Sequence, residues 1–539
     1  MEENVLACDL DTVQRAMAEI QGNAAMIIWH PNNFKMRPKE NGANKRPAKA
    51  SRLRNARFLG MAGVGFFADG YLNITIGLVV PILGYIYYKD QKDAVPTVPS
   101  SVMKGGLSLG MIVGQLVFGV LGDALGRSKI YGKELMITMF GTIMVIVLPT
   151  NLSHDSIVAW ITMWRIVTGV GIGADYPMSS TLSAEHNPFG SRGKLVLTVF
   201  ASQGFRNLTA SIVFLVLLAA FKSSVIHNVD RLEWVWRLLL GLGIVPAAAT
   251  LYARLRMRES VPYQKYVEDH STAPDGNTRG LRQHWIDFRD YFSDIRHAKV
   301  LFATSACWFL FDIAFYGINL SQSIILNQIG FGKGKTPWQT LQNLAVGNII
   351  ASAAGFLPGY YAAIPVIDVL GRVRQQFLGC ILVAILYAIW AGVANIAPSG
   401  FFLNCGPTAT TFLIPVEVFP TRVRSTAHGI SAASGKSGAV LTTFTFGSVT
   451  NAIGVQGVLG ILSGVIFLTA LVTLMIPETR GMSLEEIESG AFYGEVIAGQ
   501  ASSNELPPVH KSSTAGYSSE GDALDSKGTS GQVRYREAV

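Results

Sequence analysis

Four carboxylates, Asp69, Glu134, Asp175 and Asp312, stand in stretches that are otherwise apolar. An ionised Asp at the centre of a membrane helix costs about 2.5–3.5 kcal/mol, so four unpaired ones would cost on the order of 10 kcal/mol. A purely structural bundle would not keep them. Such residues survive protonated, paired or facing a water-filled path, and moving protons is the chemistry they offer. For each, the competing reading is a structural ion pair or a helix-end residue, strongest for Glu134, about one turn inside its helix. Trp308, Asp312 and Tyr316 are spaced i, i+4, i+8 and make one stripe, two polar-tipped rings around one titratable group. Gln203 and Arg206 share a face at i, i+3, adding an amide and a fixed positive charge. Arg206 either serves a site, snorkels to a membrane face or neutralises Asp175.

An enzyme would need a nucleophile–base pair or a metal cluster. The nine histidines are scattered, and His428 alone lies well inside an apolar run. Neither catalytic residues, a metal nor a cofactor is expected.

The elements that carry these residues follow from composition. Of 539 residues, 49% are hydrophobic and 15% charged, against about 25% charged in an average soluble domain. Mean hydropathy is +0.33. With 55 glycines, this is the make-up of packed membrane helices, where small residues permit close approach. Four cysteines do not staple a secreted domain, and Cys307, Cys380 and Cys405 fall in apolar stretches. The net charge of +8 does not mark a nucleic-acid binder. Its basic residues run from Lys35 to Arg57 and cluster at Arg127–Lys133, Arg254–Arg258, Arg372–Arg374 and Arg422–Arg424, always at the edge of an apolar run. That is the placement of cytoplasmic loops under the positive-inside rule. The N-terminus has no basic segment leading into an apolar one, so no cleaved signal peptide is expected.

Apolar runs of about 20 residues predict twelve membrane helices, an all-α membrane protein. They cover 58–87, 102–124, 129–150, 157–182, 194–221 and 233–255, then 300–322, 338–362, 375–396, 399–419, 427–450 and 455–476. Five parts follow: a basic cytoplasmic segment, 1–57; a six-helix half, 58–256; a polar linker, 257–297; a second half, 298–486; and a Ser- and Gly-rich disordered tail, 487–539. Both termini fall in the cytoplasm, and the lack of an organelle signal favours the plasma membrane. A monomer in the bilayer is expected to suffice.

The halves repeat one another. Gly119, Asp123, Gly126 and Arg127 follow the second run; Asp368, Gly371 and Arg372 follow the eighth, with the same D-x-x-G-R-x-basic spacing. The motif suits a gate: glycines turn the loop, and Asp and Arg pair with helix ends in contacts that break and reform as halves rock. Two parallel six-helix repeats resemble the major facilitator superfamily.

The fourth run narrows this. From Gly169 through Gly173, Asp175, Tyr176 and Pro177 to Glu185 it resembles the signature of the phosphate:proton symporter family, the fungal and plant inorganic phosphate transporters. Tyr131-Gly132 with Glu134, Gln203-Gly204-Phe205, Trp308 with Asp312 and Tyr316, Gly406-Pro407 through Arg422, His428 to Lys436, and Pro477 to Gly481 extend the likeness over about residues 58–487. The resemblance implies proton-coupled uptake of phosphate by alternating access. It implies that Tyr176, Gln203, Trp308, Asp312 and Tyr316 contact phosphate, that Lys436 lies near the site, and that Asp69, Glu134 and Asp175 move protons.

Three positions depart from the family. Thr408 replaces an Asn, Arg206 stands where Gly is usual, and Leu72 replaces a second acid in the first run. A shorter side chain at one wall and a positive charge at another leave open an organic anion, a glycerophosphodiester or polycarboxylate, as substrate. A non-transporting nutrient sensor is the remaining alternative, for which neither terminus supplies a signalling domain.

Overall fold

The computed structural model describes residues 49–149, 152–185, 192–268, 280–320, 334–393 and 399–489, with Gln322 and Leu326 between. The tail beyond 489 and the basic segment before 49 lie outside them, so the expectations for those segments do too.

Among the described residues, nine helical runs are long and apolar enough to cross a membrane. The last of these, Arg424–Thr473, breaks at Gly454, where φ is +72°. Lys133–Ile146 and the segment 399–418 complete twelve. In order they are α1 Arg57–Tyr87, α2 Thr97–Leu125, α3 Lys133–Ile146, α4 His154–Glu185, α5 Arg192–Ala220, α6 Val229–Leu255, α7 Ile295–Asn319, α8 Pro337–Leu370, α9 Arg372–Val393, α10 399–418, α11 424–453 and α12 455–473. The all-helical, twelve-span architecture expected from the sequence is the one observed. Several boundaries differ by a turn or two, α2 starting at Thr97 and α7 at Ile295 among them. Gly132, at φ +97°, delays α3 to Lys133, and α8 runs on to Leu370 through Pro365, so Asp368 sits in its last turn.

Small residues set the packing. A Cβ on Gly110 of α2 would sit 2.0 Å from the Ile166 carbonyl oxygen, and one on Gly173 of α4 would sit 2.4 Å from that of Met111. The two backbones therefore touch, the contact that glycine makes possible between membrane helices. Gly429 of α11 meets the Gln115 carbonyl of α2 in the same way, so the halves also pack backbone to backbone.

Three helices lose regular α geometry at mid-length. α5 has a 3₁₀ turn at Ser202–Gly204, α8 a π turn at Ser352–Phe356, and α10 a π turn at Asn404–Thr408 around Pro407. Such breaks are tolerated at membrane depth only where protein or a cavity surrounds them, and they recur at transporter sites. Here they converge on one place. Between α6 and α7, a polar helix, Leu281–Phe292, buries His284, whose ring nitrogen Nε2 lies 2.9 Å from Thr426 Oγ1.

Candidate functional site

Eight residues expected from the sequence or its resemblance to form a site line one small cavity: Tyr176, Gln203, Arg206, Trp308, Asp312, Tyr316, Thr408 and Lys436. They come from α4, α5, α7, α10 and α11, hence from both halves. Its volume is about 20 Å³, room for about one water.

The chemistry centres on an ion pair. Lys436 Nζ donates to Asp312 Oδ2 at 2.7 Å, both buried. The ammonium also lies 4.6 Å from the ring centre of Tyr316 and 5.6 Å from that of Tyr176. Arg206 Nη1 donates to Gln203 Oε1 at 2.6 Å, and Gln203 Nε2 to Tyr176 Oη at 3.2 Å. Arg206 thus touches an amide, not an acid, and its buried Nη2 has no hydrogen-bond partner among the described residues. An orphaned guanidinium nitrogen beside a lysine is a set of donors suited to an oxyanion. Thr408 contributes less than its position suggests, since its hydroxyl donates to the Leu403 carbonyl at 2.8 Å.

Phe200 and Phe412 stack across the halves with ring centres 4.1 Å apart. α5 reaches Phe200 before Gln203, and α10 reaches Phe412 after Thr408. The stacked pair therefore lies between the cavity and the end of the bundle that carries the repeated motif.

Asp175, Glu134 and Asp69 form a separate buried group. Arg254 binds two of them: Nη1 donates to Asp175 Oδ1 at 2.7 Å and to Glu134 Oε1 at 3.0 Å, while Nη2 donates to Asp175 Oδ2 at 3.2 Å. Ser179 adds a bond to Asp175 at 2.6 Å, and Tyr131 lies 3.0 Å from Ser179. Both oxygens of Asp69 are buried without a hydrogen bond among the described residues, and its charged neighbours are Asp175, Arg254 and Glu134. Grouping Arg254 with the loop-edge basic cluster is therefore corrected: it is wholly buried, α6 ending just beyond it. It also settles Arg206, which does not neutralise Asp175.

Gly65 of α1 makes the space, because a Cβ there would fall 1.5 Å from Arg254 Nη2. Gly65→Ala is expected to lower stability by about 1–3 kcal/mol through overpacking. Gly60→Ala, where nothing lies within 4 Å, is expected to be neutral. Thermal unfolding of both variants in detergent checks this; equal midpoints would contradict the tight fit.

At the motif end, Asp123 caps α11 across the halves, accepting from the Ser425 N–H at 3.2 Å and from the Thr426 N–H at 2.7 Å. Arg127 donates to Asp123 at 2.9 Å and to the Thr421 carbonyl at 2.7 Å, and lies 3.3 Å from Glu185. In the second copy Asp368 lies 3.3 Å from Arg372 and 3.0 Å from Lys194 of the first half. Arg372 donates to both oxygens of Glu417, at 2.6 and 2.9 Å. Gly126 and Gly371 both have positive φ, +101° and +90°, and a Cβ on either would strike a carboxylate, Glu259 or Glu478. Those two acids accept in matching fashion from the residue two after each glycine, Glu259 from the Ser128 N–H and Glu478 from the Val373 N–H. Gly119 lets α2 approach the Ser425 carbonyl. With Glu185–Arg424 at 3.2 Å and Arg192–Glu417 at 3.6 Å, charge pairs join the halves at this end.

Two residues at the site left little or no mark in the sequence. Asn73 Nδ2 donates to Tyr316 Oη at 3.1 Å; it stands one turn past Asp69, which was the available signal. Tyr360 lines the cavity with its hydroxyl unpartnered among the described residues, but nothing marks it within its apolar run. His428, noted in the sequence for its place inside an apolar run, stands edge-on to Trp308 at 5.4 Å.

Comparison with known proteins gives the family and the fold. A Schizosaccharomyces pombe protein provisionally named an inorganic phosphate transporter is 37% identical over 511 residues, covering 82% of this chain and 89% of that protein. The inorganic phosphate transporter PHO84 of Saccharomyces cerevisiae is 34% identical over 502 residues, covering 80% of this chain and 84% of its own. Among solved structures, the proton:xylose symporter XylE bound to 6-bromo-6-deoxy-D-glucose shares the fold, with a TM-score of 0.64 at 18% identity over 81% of this chain and 99% of that one. The model of the sugar (and other) transporter family matches residues 59–491, so the chain belongs to that family of transporters and is not an enzyme.

Proposed function

We propose that this protein takes up inorganic phosphate together with protons, by alternating access across the plasma membrane. The names of its relatives support the substrate, and the observation that carries the mechanism is the buried Lys436–Asp312 pair. With no anion, each is the other's counter-charge. An incoming phosphate competes for Lys436 and for the orphaned Nη2 of Arg206. Two like charges 4 Å apart repel by about 4 kcal/mol at an effective dielectric of 20. Phosphate on Lys436 therefore favours a proton on Asp312, and binding of each ligand strengthens the other, as symport requires. Tyr176, Gln203, Trp308, Tyr316 and Thr408 complete the phosphate site. Asp69, Glu134 and Asp175 around Arg254 form the proton path, with Asp69 the member free to carry a proton. The repeated motif, at Gly119, Asp123, Gly126, Arg127, Asp368, Gly371 and Arg372, acts as the cytoplasmic gate. It is shut here. The chain works as a monomer with both termini cytoplasmic.

A second reading, transport of an organic anion, draws on Arg206 and on the threonine at 408. The tight cavity and the turning of the Thr408 hydroxyl toward Leu403 support the smaller substrate. Purified protein in liposomes with acid outside distinguishes them, with inorganic phosphate, a glycerophosphodiester and a tricarboxylate compared side by side. Phosphate accumulation stimulated by the gradient and abolished by a protonophore is expected. Preference for either organic anion would favour the second reading, and no stimulation by acid would exclude proton symport.

A further inference from the structure

At the end of the bundle opposite the motif, the halves part around a second cavity of about 360 Å³. Its walls come from α1, the loop before α2 and the start of α2 on one side, and from the ends of α7 and α11 and the start of α8 on the other. Lys104 of α2 lines it. That side chain is only 8% exposed, and no hydrogen bond, ion pair or neighbouring charge is found for it among the described residues. Lysines this close to a membrane boundary, about 10 Å inside the helix start, ordinarily snorkel out to water. This one turns inward between the halves.

A buried ammonium without a counter-charge is costly unless a ligand supplies one. At the rim, exposed Lys92 and Asp93 offset each other, so Lys104 leaves the cavity with one net positive charge. Thr450, also in the wall, has a buried hydroxyl without a hydrogen-bond partner among the described residues. The other buried lysine of the substrate path, Lys436, is already held by Asp312. Lys104 is thus the cation that an arriving anion meets unpaired. Leu320, in the cavity wall, follows Tyr316 of the central site by one helical turn, about 6 Å along α7. The two cavities lie in series.

From this geometry we infer an outer anion site, built on Lys104 and the Thr450 hydroxyl, that holds a small oxyanion before it passes to Lys436 and Arg206. That the oxyanion is phosphate rests on the function proposed above; the site itself does not. Two measurements separate the two claims. Acylation of Lys104 by a water-soluble amine reagent, followed by mass spectrometry on full-length protein in detergent, is expected to be slowed by inorganic phosphate while exposed Lys92 is unaffected. In liposomes, Lys104→Gln is expected to raise the KM for phosphate about tenfold, the loss of one charge-assisted hydrogen bond. Vmax should stay within about twofold of the unmodified protein, and Lys104→Arg should retain most of the affinity. Lys104 that is inert to the reagent, or labelled equally with and without phosphate, would overturn the outer site. So would an unchanged KM, or a fall in Vmax alone. Protection of Lys104 in a protein that shows no proton-driven phosphate uptake would leave the outer site standing and refute the transport reading instead.

Discussion

Asp312→Asn is expected to abolish uphill, proton-driven phosphate accumulation, by about a hundredfold or more, while phosphate-for-phosphate exchange across the same liposomes persists. The substitution keeps the shape of the side chain and one oxygen able to accept from Lys436. It removes the charge that holds Lys436 at 2.7 Å and the one carboxylate that lines the central cavity among the described residues. Lys436 is then left to the anion in every protonation state, so binding and exchange continue without a proton. Asp312→Glu, which restores a titratable group, should recover part of the uphill uptake. Normal accumulation by Asp312→Asn would place proton coupling elsewhere, with the Arg254 group the next candidate.

Removing Arg254 should have the largest effect on folding. Its guanidinium is the only cation bound to Asp175 and Glu134 among the described residues, with Asp69 beside them. Taking away one partner of a buried charge cluster leaves uncompensated charge and costs about 3–5 kcal/mol. Arg254→Gln is therefore expected to unfold well below the unmodified protein in detergent. The double variant Arg254→Gln/Asp175→Asn, which removes an opposite charge as well, should recover much of the loss. Single and double variants that melt alike would show that the group is not coupled as its distances imply.

The sequence carried the helical plan well and the pairing within it poorly, for a physical reason. Apolar runs of membrane length announce themselves, and breaks in α5 and α10 fall where Gly204 and Gly406-Pro407 stand. The repeated Asp-x-x-Gly-Arg showed that the halves share a design, and the positive φ at Gly126 and Gly371 gives its glycines a reason. Partners across helices leave no such trace. Lys436 and Asp312 are 124 residues apart, and no periodicity links them; only the family resemblance brought Lys436 to the site. Arg254 misled more directly. One turn from a basic loop, it reads as a topology marker, yet the same helix turn points it inward through the gap at Gly65. Arg206 was left between three readings because its partner, the Gln203 amide, is uncharged and so carries no charge pattern to follow.

Coupling rests on one linkage: phosphate takes Lys436, and Asp312 takes a proton in exchange. Calorimetric titration of purified protein with inorganic phosphate, repeated in buffers of different ionisation enthalpy at a pH where the phosphate monoanion dominates, counts the protons taken up on binding. Net uptake approaching one proton per phosphate bound is expected, and none in Asp312→Asn. Tight phosphate binding with no proton uptake by the unmodified protein would contradict the linkage.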